Sequence, residues 1–301
     1  LDDDNKADKA ESNARQLVAD GAFILFGAID GGPSAAVMKA ANDLKVPFFG
    51  PLAGPPTLRS PHQPLVFPVR AEHKDEFRAL MAWGKSTGLK TVGFLHADTA
   101  VGQMHLANVQ RIAKELGLEV VVNLPFKGDI SDAQIAEWVK TIGISKADMF
   151  LNHGSAGLYQ KLVAQAKSEG LKTTFMAVNS GSSQIAKGLG PLAKGMVFSQ
   201  VVPSPWARKL AIAREYQDAA RKADPKAEFS YGALEGYMTA KALVMSLQAT
   251  GRELTRERWL RTMANARFDL GGLSIQYKSG KHEGASYVDL SMVDRDGRFI
   301  Q

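Results

Sequence analysis

The sequence contains no cysteine, which excludes disulfides, thiolate metal ligands and cysteine nucleophiles together. It has no apolar run near the roughly 18 residues needed to cross a bilayer as a helix. The longest apolar run, Ala22 to Ile29, is strand-sized. There is no block of five basic residues and no aromatic-rich motif of an RNA-binding sheet. The 37 Lys and Arg, against 31 Asp and Glu, are spread along the chain, so no nucleic-acid partner is expected.

Chemical fingerprints are missing too. No G-x-x-x-x-G-K-[ST] phosphate loop and no G-x-S-x-G elbow occur. The glycine-rich stretch Gly27-Ala28-Ile29-Asp30-Gly31-Gly32-Pro33-Ser34 does not have the G-x-G-x-x-G spacing of a dinucleotide site. The six histidines (His62, His73, His96, His105, His153 and His282) form no H-x-x-x-H or H-E-x-x-H pair. No metal, no cofactor and no catalytic residue is expected from these patterns. The opening LDDDNKADKA does not read as a signal peptide; an exported protein would carry its targeting segment ahead of Leu1.

What is present is ordinary globular composition, 45% hydrophobic and 23% charged, in a chain long enough for two lobes. Short β-rich runs alternate with helical segments. The runs are Ala22–Ile29, Pro47–Leu52, Leu65–Val69, Thr91–His96, Glu119–Phe126, Met149–Asn152, Thr173–Val178 and Met196–Val202. Continuous apolar runs of this length suit parallel strands buried on both faces. Ile135, Trp138, Val139 and Ile142 fall on one helical face, with Ser131 and Gln134 spaced as a capping box. Leu106, Val109, Ala113 and Leu116 repeat the stripe. Gly88, Gly117 and Gly170 stand between a helix and the next strand, where a left-handed stop is needed. The fold class is α/β with doubly wound parallel sheets.

After Pro205 the grammar changes. Helices are expected at Trp206–Ala223, Tyr231–Thr250 and Thr255–Asn265, then strands at Leu273–Tyr277 and Tyr287–Val293. Trp83, Trp138 and Trp206 read as core, and Glu235 and Tyr237 as helix packing. For Arg70 a structural role and a ligand-facing one both stay open. Polar or glycine-rich loops follow several strands: Gly31–Ser34, Ala53-Gly54, Asp98–Val101, His153–Ala156 and Asn179–Ser183. His96 and His153 fall at strand C-terminal ends, where α/β sheets bind ligands. Loops that converge without paired catalytic groups describe a binding cleft, not an active site.

These stretches resemble the periplasmic solute-binding proteins of ABC transporters, branched-chain amino-acid (Leu/Ile/Val) type. The matching pieces include FGAIDGGPSAA, VPFFGPLAGPPTLR, VFPVRAEHKDE, ADTAVGQMHLANVQ, SYGALEGYMTAKALV and FDLGGLSIQY, in family order. The resemblance implies a type I periplasmic binding fold: two doubly wound parallel-sheet lobes joined by three crossing strands near Val69–Ala71, Gln200–Pro203 and Ser286–Val288. It divides the chain into residues 1–69 with 204–286 and residues 70–203 with 287–301. It also implies a family opening strand and helix ahead of LDDD, and hence an open sheet edge in the first lobe.

By the same resemblance the ligand-binding residues are Gly31, Gly32, Ser34, Ala53, Gly54, Val101, His153, Ser155, Ala156 and Asn179, placed in an interlobe cleft. Glycines stand where the family has carboxylate-binding hydroxyls, leaving backbone N–H groups and Ser34. Asn179 aligns with the acidic residue that pairs with an amino acid's ammonium, and a neutral amide cannot make that ion pair. Val101 and Ser155 or Ala156 align with pocket aromatics and are smaller. The implied function is a non-enzymatic, periplasmic receptor that delivers a small organic anion to a membrane permease. That anion would lack an α-ammonium and be bulkier than leucine, such as an aromatic acid. A sensory module of the same fold and an α/β enzyme are the alternatives.

Overall fold

The computed structural model describes residues 1–301, which divide into two compact units, Leu1–Glu72 with Val201–Tyr287 and His73–Gln200 with Val288–Gln301. The chain thus passes from one unit to the other three times.

The first unit opens with α1 (Ala7–Ala19), β1 (Leu25–Phe26), α2 (Gly31–Leu44), β2 (Phe48–Phe49) and β3 (Val66–Phe67). The three strands pair in parallel in the order β1-β2-β3. Leu25, Val37, Ala40, Ala41, Phe48, Leu58 and Val66 form the core beneath them. Each ladder is shorter than the apolar run that predicts it, continued only by a bridge between Ile29 and Leu52. β1 is an edge strand, bonded to β2 alone. Phe26 and Ile29 stand 49% and 63% exposed there.

The second unit carries α3 (His73–Ser86), β4 (Thr91–Ala97), α4 (Ala100–Leu116), β5 (Glu119–Phe126), α5 (Asp132–Ser145), β6 (Met149–His153), α6 (Ala156–Ser168), β7 (Thr174–Ala177), α7 (Ser182–Leu189) and β8 (Val197–Gln200). Its strands run β5-β4-β6-β7-β8 in parallel. Helices cover both faces, as doubly wound topology requires. Ile135 and Trp138 of α5 and Tyr159 and Leu162 of α6 pack on Phe150, Phe175 and Phe198. Phe77 and Leu80 of α3 and Val109 and Ile112 of α4 pack on the other side, against Val92, Phe94, Leu151 and Met176.

Local signals hold. Ser131 Oγ accepts from Gln134 N–H at 3.3 Å, capping α5. Gly117 ends α4 at φ +68°, and Gly88 and Gly170 have φ +93° and +78°. At the N-terminal ends of β4 and β6 side chains stitch the strands together. Asp148 Oδ2 accepts from the N–H groups of Lys90 and Thr91 at 2.8 and 3.0 Å. The Thr91 hydroxyl donates to Lys146 O and accepts from Asp148 N–H, both at 2.8 Å.

The chain then returns to the first unit with α8 (Ala211–Ala223), α9 (Tyr231–Thr250), α10 (Arg256–Met263), β9 (Arg267–Asp269), β10 (Ser274–Lys278) and β11 (Lys281–Gly284), the last three an antiparallel sheet. Two expectations are corrected here. The helix starts at Ala211, not at Trp206, and Trp206 is 47% exposed and not core. Residues 206–210 are held as turns instead. Arg214 Nη1 donates to the carbonyls of Arg208 and Lys209, and Gln217 Nε2 to that of Pro205. Side chains of α8 thereby take the carbonyls a continued helix would have used. The fully buried tryptophan is Trp259, edge-on to Phe67 at 4.8 Å with its Nε1–H donating to Ser246 Oγ at 2.9 Å.

Finally β12 (Asp289–Val293) joins the second unit's sheet antiparallel to β8, and β13 (Phe299–Ile300) pairs antiparallel with β12. β9, β11 and β13 carry no apolar run long enough to be read from the sequence.

Candidate functional site

In the first unit two loops meet at the head of α2. Asp30 precedes the helix with φ +66°, and Ala28 with φ +67°, strained backbone of the kind that collects at binding sites. The first helical bond is Ser34 N–H to Asp30 O at 3.1 Å. The N–H groups of Gly31 and Gly32 lie ahead of it, where a helix offers free donors and a positive dipole end. A Cβ built on Gly31 would lie 3.6 Å from Pro55 Cγ, so the loop after β2, with buried Ala53 and Gly54, packs beside it. Ser34 is fully buried and its Oγ has no hydrogen-bond partner.

In the second unit the expected residues sit at the C-terminal ends of parallel strands. Val101 lies in the first turn of α4, which Thr99 caps by accepting from Gly102 N–H at 3.1 Å. His153 ends β6. Ser155 caps α6, its Oγ accepting from Leu158 N–H at 3.2 Å, and Ala156 is the first helical residue. A Cβ built on Gly181 would come within 3.4 Å of Ala156 Cβ, which brings the loops after β6 and β7 together. Asn179 is buried, and its backbone N–H donates to Glu76 Oε1 at 2.9 Å.

That carboxylate is a feature the sequence does not reveal. Glu76 is fully buried on α3. Its Oε1 also accepts from Ser199 Oγ at 2.8 Å, and His73 Nδ1 donates to Oε2 at 2.7 Å. Beside it stand three imidazoles. The ring centroids of His105 and His153 are 3.9 Å apart, those of His73 and His153 4.6 Å, and those of His73 and His105 5.4 Å. His96 is the register partner of His153 across β4 and β6, and is fully buried with Nδ1 donating to Ala97 O at 2.8 Å. Burial holds His105 far below the ordinary imidazole range, at about 3, with the neighbouring His73 acting in the same direction. No spacing rule links residues 73, 76, 105 and 153. Only the packing of α3 and α4 against β4 and β6 gathers them.

Arg70 belongs to the interior of the first unit. Its Nη1 lies 3.4 Å from Glu235 Oε1.

Two doubly wound parallel-sheet units between which the chain passes three times are the architecture of the type I periplasmic binding proteins. The chain belongs to the periplasmic binding protein family, whose profile matches residues 1–298. Solved structures agree on the fold. A possible leucine/isoleucine/valine-binding protein from Rhodopirellula baltica SH 1 is 22% identical, with a TM-score of 0.89 over 100% of this chain and 84% of that one. A leucine-binding protein from Thermotoga maritima MSB8 is 18% identical, with a TM-score of 0.84 over 100% and 85%. A branched-chain amino-acid ABC transporter protein from Thermus thermophilus, with bound valine, is 17% identical, with a TM-score of 0.81 over 99% and 82%. No curated protein sequence matches.

Proposed function

We propose that this chain is the extracytoplasmic solute receptor of an ABC importer, and that its cargo is an organic carboxylate without an α-ammonium group. The first unit supplies the carboxylate's donors: the N–H groups of Gly31 and Gly32 and the hydroxyl of Ser34, with the loop at Ala53 and Gly54 packed beside them. In the second unit the proposed ligand wall is Val101, His153, Ser155, Ala156 and Asn179. Val101, Ser155 and Ala156 are small, which leaves room for a ring. The protein binds without chemistry and delivers its cargo to a membrane permease.

The observation that carries this reading is Asn179. An ammonium taken out of water needs a charged partner, and the desolvation penalty otherwise stands against binding. Here that position is a neutral amide, and the nearest acid, Glu76, already accepts from His73, Asn179 and Ser199. Ser34 supports the other half, because its buried hydroxyl lacks a partner that a carboxylate would provide.

Calorimetry against leucine, valine, benzoate, 4-hydroxybenzoate and phenylacetate tests it. At least one aromatic acid binds with micromolar or tighter affinity and the amino acids do not. Micromolar leucine or valine binding overturns the proposal.

A further inference from the structure

The second unit buries an imidazole that hydrogen bonding does not explain. His105 is fully inaccessible and neither ring nitrogen has a hydrogen-bond partner. A phenylalanine would fill that space without the cost of two unpaired polar atoms. His105 is one of three mutually adjacent imidazoles, of which His73 is buried and His153 alone is partly exposed. The group therefore meets solvent at His153, a residue of the proposed ligand wall. Behind it lies the buried carboxylate of Glu76.

Like charges at these separations repel strongly in a poorly solvated setting, so rings 3.9 to 5.4 Å apart do not all take protons together. The titratable rings packed on His153 are His73 from α3 and His105 from α4; His96 of β4 is its register partner, and Glu76 lies behind His73. His105 stays neutral through the physiological range. Of the three rings, His73 touches a carboxylate, Glu76, and His153 is the one that reaches solvent.

We propose that the His73–His105–His153 cluster is a proton-binding element of the ligand site, and that an anionic ligand is bound together with a proton held at His153. The inference rests on the anionic-cargo reading above and adds its regulation. An anion beside His153 favours the imidazolium, and by linkage protonation favours the anion to the same degree. Affinity therefore rises as pH falls. The limit is about tenfold per pH unit for one proton.

Two measurements on the whole chain decide it. The first needs no ligand: an NMR pH titration with 13Cε1-labelled histidine, from pH 5 to 8. His153 titrates inside this window, and Glu76→Gln or His73→Gln moves its midpoint by half a unit or more. A His153 that does not titrate, or whose midpoint ignores both substitutions, overturns the proposal whatever the cargo is. The second is calorimetry with benzoate in phosphate and in Tris. Binding at pH 6 is about fivefold or more tighter than at pH 8 and takes up a fraction of a proton, and both effects vanish in His153→Gln. Benzoate binding without proton uptake overturns the coupling. Failure of every carboxylate to bind overturns the cargo reading, and the coupling with it, while the NMR result still decides whether the cluster is a proton site.

Discussion

Arg70 and Glu235 form an ion pair sealed inside the first unit, their side chains 2% and 7% exposed with Nη1 3.4 Å from Oε1. Removing one member strands the other charge away from water. Glu235→Leu is therefore expected to cost about 3–5 kcal/mol, while Arg70→Met combined with Glu235→Leu costs much less. Urea unfolding of the two variants checks this. Equal losses would show that the pair's charges are not what matters.

Ser34 separates folding from binding. Its buried hydroxyl has no partner, so Ser34→Ala leaves the urea midpoint unchanged or raises stability by up to about 1 kcal/mol. The same substitution weakens carboxylate binding about tenfold, the worth of one hydrogen bond to a charged acceptor. A variant that unfolds earlier but binds normally would refute the assignment of the hydroxyl to the ligand.

Asn179→Asp adds a negative charge at a buried position whose backbone N–H is bonded to Glu76. It is expected to weaken aromatic-acid binding by about tenfold or more, since like charges at short range cost more than 1 kcal/mol. Calorimetry with the tightest-binding aromatic acid checks the direction, and a gain in affinity would point to a cationic group on the cargo.

Gly102 shows how tightly α4 starts against β4. A Cβ there would lie 1.8 Å from the Ala97 carbonyl oxygen and 3.0 Å from His96 Nδ1. Gly102→Ala forces backbone apart and costs about 1–3 kcal/mol or more. Gly32→Ala meets nothing within 4 Å and changes stability by less than about 1 kcal/mol. Thermal unfolding of the two variants makes the comparison.

Acid sensitivity follows from His105. Burial depresses its folded pKa to about 3, below the unfolded value of 6.5. Below pH 6.5 the unfolded chain binds a proton that the folded chain refuses, so stability falls with pH down to about 3. The slope from this group approaches about 1.4 kcal/mol per pH unit. His105→Phe removes that contribution, and urea midpoints at pH 7, 6 and 5 show a flatter decline.

Much of the architecture was readable because its causes are local. The stripe Ile135, Trp138, Val139 and Ile142 faces the core, and Tyr231–Thr250 is a helix over the whole expected range. Trp206 misled because the bonds that undo its helix come from Arg214 and Gln217, several residues on. The imidazole cluster was illegible for a different reason. His73, His105 and His153 are separated by 32 and 48 residues, and the Glu76 carboxylate sits in an ordinary amphipathic helix. Their adjacency is a product of sheet order, which no spacing records.

The clasp of Thr91 and Asp148 sits at the end of the sheet opposite the loops that follow β4 and β6. Strand alignment is thus secured at the end of the sheet away from the proposed ligand loops. Residues 153–156 and 179–183 should consequently be exchangeable for those of another receptor, yielding a well-formed protein with an altered appetite.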